Sequence, residues 1–293
     1  MTCRELIESY LEWKNSASAN EHTVRSYRKD LSKLLDDIGW ETPVEEFDRF
    51  ALHTFMAKLG GGALSSASVR HVLACIRDLV KWACNERIYK ENFALSIKSP
   101  RKPRTLPAAT TAEEVKTLLD GGCPTSWPER DQVILEMLYC NLRVGELVAL
   151  DLKDRVLADE VIVQGKGRKE RKVPLTSAAV EAIAAYLPSR SKVLRMRGKQ
   201  TDALLINLKG GGRLTTRSIG RIVRALALAK GVRSRVTPHR LRAAYVTHML
   251  ERGAELTKVS QLVGHVKSST TMDYCGGVSW KRMKEAYDRT FNR

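Results

Sequence analysis

Apolar residues recur at helical spacing through most of the chain. Between residues 21 and about 38 they fall at Val24, Tyr27, Leu31, Leu34, Leu35 and Ile38, the stripe of a helix that Gly39 stops. A longer stripe over about 65–87 carries Val69, Val72, Leu73, Ile76, Leu79, Val80 and Ala83. Thr2 and Glu5 have the spacing of a capping box and open a helix to about residue 14; another helix is expected over about 44–59, ahead of Gly60, Gly61 and Gly62. The pattern predicts an all-α domain over 1–97. Residues 98–107 then hold three prolines and four cations, which marks a stiff interdomain linker.

The remainder, 108–293, repeats the helical pattern with one exception. A second capping pair, Thr111 and Glu114, opens it. Helices are predicted over about 129–140, 177–187 and 216–230, from Pro238 behind Thr237 to near Gly253, over about 256–263, and over 279–290. Residues 161–175 instead read as two short strands around Gly165, Lys166 and Gly167, and the basic run 190–199 as an exposed loop. The expected class is mainly α with a small antiparallel β-sheet, an α+β domain behind an all-α one.

Charge narrows the partner. Fifty Lys plus Arg against 33 Asp plus Glu leave +17, which suits a polyanion. No apolar run approaches the roughly 20 residues that span a bilayer, and Glu5 and Glu8 interrupt any signal-peptide core, so a cytoplasmic location with no membrane partner is expected. The six cysteines form no CxxC pair and no regular framework, and indicate neither zinc nor disulfides.

The chemistry concentrates at five places. His239 and Arg242 stand three apart, hence on one helix face, and offer a titratable base and a planar cation to one target. Leu262-Val263-Gly264-His265 and Thr270-Thr271-Met272-Asp273-Tyr274 follow, and earlier come Asn141-Leu142-Arg143-Val144-Gly145-Glu146-Leu147 and the Gly165-Lys166-Gly167 turn. In this order and spacing they resemble the conserved boxes of the tyrosine recombinases, the phage integrase and Xer-like family. One departure stands out: Asn141 occupies a usual glycine position, and asparagine tolerates the left-handed backbone such a turn needs.

The resemblance implies a catalytic set of Arg143, Lys166, His239, Arg242, His265 and Tyr274, with Glu146 as an orienting carboxylate. Tyr274 would attack a DNA phosphate to give a 3′-phosphotyrosyl link, the arginines neutralising charge that metal nucleases meet with divalent ions. No metal ligand set and no ATP motif is recognised, so no cofactor is expected. The resemblance further implies a core-binding N-terminal domain, a C-shaped clamp around double-stranded DNA, a tail helix exchanged between protomers, and a homotetramer or a heterotetramer with a paralogue, acting through a Holliday junction. Arg25, Arg28, Arg70, Arg77, Lys81, Arg101, Lys102, Arg104, Arg217, Arg221 and Arg224 are candidate DNA contacts. A type IB topoisomerase-like relaxing enzyme and a non-catalytic DNA-binding regulator are the alternatives.

Overall fold

The computed structural model describes residues 1–17, 21–62, 64–101, 110–154, 159–164 and 170–263. The chain divides into two compact units, Met1–Arg104 and Thr105–Arg293. Residues 102–107 of the expected linker and the whole expected tail helix lie outside the described residues.

The first unit holds α1 (Cys3–Ser16), α2 (Glu21–Ile38), α3 (Arg49–Gly61) and α4 (Ser66–Asn85), with 3-10 turns at Val44–Glu46 and Phe93–Ser96. Both oxygens of the first cap are used as its spacing predicts: Thr2 Oγ1 accepts from the Glu5 N–H, and the Glu5 carboxylate from the Thr2 N–H. α4 supplies the centre of the core, burying Val69, Val72, Leu73, Ile76, Leu79 and Val80. Each such side chain contributes about 1.5–3 kcal/mol over an exposed position. The single helix expected over 44–59 is instead a 3-10 turn and then α3. Asp48 is the reason: its Oδ1 accepts from the Phe50 and Ala51 N–H groups and starts a new helix, while Phe47 turns into the core.

The second unit contains α5 (Ala112–Leu119), α6 (Pro128–Tyr139), α7 (Val144–Ala149), β1 (Glu160–Gln164), β2 (Glu170–Pro174), α8 (Ser177–Arg197), α9 (Thr216–Ala229), α10 (Pro238–Glu251) and α11 (Leu256–Val263). β1 and β2 pair antiparallel, with Val161 opposite Val173 and Val163 opposite Arg171. α6 is the axis of this unit. Val133, Ile134, Leu135, Met137 and Leu138 are all fully buried, because α5, α8, α9 and α10 pack around it. A helix covered on every side has no need of a polar face.

The loop expected over 190–199 is helical. α8 continues through Pro188, which cannot donate to the carbonyl four residues back, a defect costing about 3 kcal/mol. Two anchors on either side offset it. Tyr186 is fully buried and its hydroxyl accepts from the Ile206 N–H, while Arg190, 4% exposed, donates to the carbonyls of Thr201, Ala203 and Leu204. Gly198, at φ 58°, ends the helix in the left-handed conformation.

Replacing Arg190 with Met should therefore cost about 2–4 kcal/mol, since three buried carbonyls lose a charged donor. Exposed Arg197→Met is the control, expected within about 0.5 kcal/mol of wild type. Denaturant unfolding compares them, and equal stabilities for the two variants would show that the 201–204 segment does not depend on Arg190.

Candidate active site

The site begins where α6 ends. The Leu142 N–H bonds back to the Met137 carbonyl and the Asn141 N–H to that of Leu138, a Schellman closure with Asn141 in the left-handed position at φ 71°. Asparagine thus makes the turn for which glycine is the usual choice. The turn directs the Asn141 carbonyl toward α10 and lets α7 start at Val144, with Arg143 as its N-cap residue and Glu146 in its first turn.

Glu146 gathers the cations. Its Oε1 accepts from an Arg143 guanidinium N–H at 2.7 Å, and its Oε2 accepts from the Arg143 backbone N–H and from Arg171, both at 2.7 Å. Arg242 lies 3.8 Å from the same Oε2 and donates to the Asn141 carbonyl at 2.6 Å. Arg242 arrives on α10, which starts with Thr237 as cap and Pro238 in the first turn and seats Leu241 and Ala244 in the core. Glu146, Arg171 and Arg242 side chains are 6%, 14% and 7% exposed; Arg143 is 42% exposed. Three guanidinium groups share one carboxylate in a mostly buried place, an excess of positive charge presented to solvent by Arg143. Such a cluster favours an oxyanion and offers it planar, bidentate donors.

Arg143, Glu146 and Arg242, all expected from the sequence, are thus brought together. His239 lies one turn before Arg242 on α10 and is exposed where Arg242 is buried. Lys166, His265 and Tyr274 lie outside the described residues, as do Lys169 and Cys275. Lys172 is exposed and pairs with Glu160. Arg171 is the residue that sequence reading passed over. A signal existed: it sits two positions before buried Val173 on β2 and opposite buried Val163, so strand alternation turns it inward, where an arginine needs an anion.

A cleft of about 530 Å³ adjoins this cluster between α7 and the hairpin, with Asp151, Asp154, Ile162 and Glu170 among its described lining. Its carboxylates make it a poor host for phosphate. Among the described residues, Asp30, His71 and Cys75 of the first unit could offer three ligand atoms to a metal, all within 4.8 Å of one another. They are already linked as they stand, His71 Nδ1 lying 2.6 Å from Asp30 Oδ2, while Lys33 pairs with the other oxygen of Asp30.

The candidate DNA contacts differ among themselves. Arg217, Arg221 and Arg224 line the exposed face of α9, opposite buried Ile219, Val223 and Leu226. Arg28, Lys81 and Arg101 are exposed, Arg70 is half-buried, and Arg25 pairs with Glu21 on the surface. Arg77 points inward and donates to the carbonyls of Ala94 and Ile97. Lys102 and Arg104 lie outside the described residues.

Residues 109–276 match the phage integrase family, and residues 7–87 match the phage integrase N-terminal SAM-like domain. The chain is 33% identical over 301 residues to tyrosine recombinase XerC of Myxococcus xanthus, an alignment covering 99% of this chain and 97% of that one. It is 36% identical over 288 residues to tyrosine recombinase XerD of Mycobacterium tuberculosis, covering 92% and 91%. Its fold is similar to that of the XerH site-specific recombinase bound to a palindromic difH substrate in a post-cleavage complex, with a TM-score of 0.74 at 21% identity, covering 96% of this chain and 84% of the other. A lambda integrase tetramer bound to a Holliday junction gives the same TM-score at 16% identity, covering 96% and 79%. Kinship above 30% identity along nearly the whole length settles the question: this chain belongs to the phage integrase family of tyrosine recombinases.

Proposed function

We propose that this tyrosine recombinase exchanges DNA strands between two short recognition sites, through a phosphotyrosyl intermediate and a Holliday junction. The observation that carries the reading is the cluster of three guanidinium groups on Glu146, built by the segments that hold the family's first two arginines. Arg143 and Arg242 clamp the nonbridging oxygens of the scissile phosphate, and their hydrogen bonds strengthen as charge builds there in the transition state. The phenolic oxygen of Tyr274 forms a bond to phosphorus as the bond to the 5′-oxygen breaks. A tyrosine pKa near 10 calls for a proton acceptor at neutral pH, a role for exposed His239.

Lys166 protonates the departing 5′-oxygen, and His265 donates to the phosphate. The phosphotyrosine conserves the energy of the broken bond, so attack by another strand's 5′-hydroxyl restores a phosphodiester without ATP. One protomer cuts one strand, so exchange takes four, in a homotetramer or with a paralogue. Residues 1–97 act as the core-binding domain and 108–293 as the catalytic domain, joined by the basic linker 98–107 and carrying the tail helix to a neighbour. Their work is on chromosomal or mobile DNA in the cytoplasm. No helix among the described residues is long and apolar enough to cross a membrane. The relaxing-enzyme and regulator alternatives are not favoured, because the relatives at 33% and 36% identity are named recombinases.

Two outcomes are expected. Tyr274→Phe binds its recognition site with wild-type affinity and forms no covalent adduct on a nicked suicide substrate, as read by denaturing gel; an adduct of normal yield would remove Tyr274 from the nucleophile's role. DNA affinity falls steeply with salt through counterion release, and Arg221→Ala lowers the slope of log K against log salt by about 1, weakening all sequences alike. An unchanged slope would take Arg221 off the phosphate backbone.

A further inference from the structure

Arg171 belongs to none of the positions that the family's motifs single out in this chain, yet it touches three separate parts of the site. One of its terminal nitrogens donates to Glu146 Oε2 at 2.7 Å and lies 3.4 Å from the Asn141 carbonyl. These two oxygens are the acceptors that Arg242 faces. Its other terminal nitrogen reaches the Leu262 carbonyl at 3.4 Å, where the Asn141 side-chain amide donates over the same distance. Leu262 lies in the last turn of α11, whose carbonyls lack donors from their own helix and whose partial negative charge favours a guanidinium.

Resting on the catalytic reading above, we propose that Arg171 is a positioning residue for DNA cleavage: by bridging Glu146, the Asn141 carbonyl and the end of α11, it holds Arg143 and Arg242 in register for the phosphate. The physical problem it solves is alignment. Arg143 and Arg242 converge on Glu146, and Arg171 adds contacts to that carboxylate and to the Asn141 carbonyl that Arg242 also uses, which fix the positions of both acceptors. A guanidinium is suited to this because its nitrogens are fixed in a plane and can serve separate acceptors together; a lysine ammonium is a single point of charge on a flexible stem. Arg171 is 14% exposed, against 42% for Arg143, so the first acts behind the second rather than on the DNA. The placement has a further consequence along the chain. Arg171 follows Lys166 by five residues, and His265 follows Leu262 by three, so the same guanidinium ties the hairpin and α11 to the arginine pair.

The test uses full-length protein and two nicked suicide substrates that differ only at the scissile position, one a phosphodiester and the other an uncharged methylphosphonate. Arg171→Lys is expected to cleave the phosphodiester about 100-fold more slowly than wild type, the scale of loss for a displaced catalytic group. On the methylphosphonate, which has lost the charge that the arginines neutralise, the loss should shrink to less than about 10-fold, since most of the electrostatic stabilisation is no longer called upon. Arg171→Ala with added methylguanidinium should recover part of the phosphodiester rate, whereas added methylammonium should not. Equal losses on the two substrates, or wild-type rates for Arg171→Lys on both, overturn the proposal. So does failure of both variants to fold by circular dichroism, which makes Arg171 a purely structural residue. Absence of a covalent adduct with the wild-type protein would instead overturn the catalytic reading itself, so the two failures are told apart.

Discussion

The second unit is organised around a single carboxylate that must satisfy three guanidinium groups. Burying charge is expensive, and a cluster of this kind is stable only when nearly every donor finds an acceptor. Glu146 meets that demand by using both oxygens, with the Asn141 carbonyl as a supplementary acceptor for two of the arginines. Among the described residues this leaves a surplus of positive charge, with Arg143 as its most exposed member. A surplus held rigid in this way is complementary to a phosphate group whose charge grows during reaction, which is the physical requirement of phosphoryl transfer by arginine.

Rigidity comes from α6. Because α5, α8, α9 and α10 all pack on it, the turn that leaves its C-terminal end cannot drift relative to α10 without breaking close-packed contacts. The Schellman closure at Asn141 converts that rigidity into direction, since a left-handed residue there reverses the chain within three residues and brings Arg143 and Glu146 back over the helix end. β2 delivers Arg171 from another side, and α11 is drawn in through its Leu262 carbonyl. Core packing, turn geometry and the cation cluster are therefore one arrangement, and a change in any of them is felt at the arginine cluster.

Much of this was legible from residues alone where the signal was local. The caps at Thr2, Thr111 and Thr237, the ends of α2 and α11, the hairpin strands and the left-handed turn at Asn141 all follow from short-range chemistry. Where a distant group took part, reading failed. The helix at 190–197 depends on carbonyls at 201–204 that only the folded chain brings to Arg190. Asp48 could have been recognised as a cap, but the apolar pattern across it masked the break. His239 and Arg242 share a helix face by spacing, yet packing buried one and exposed the other.

By itself, then, the order of residues determined the helical class, the punctuation of each element, the strongly basic character and the family's boxes, because each is written in the chemistry of neighbours a few positions apart. Only the tertiary structure decided that Arg171 and Arg242 join Arg143 on Glu146. Ion pairing between residues 25 and 96 positions apart has no periodicity and no local signature; it exists only once packing around α6 has set the distances, and Coulomb interactions are decided by distance and burial.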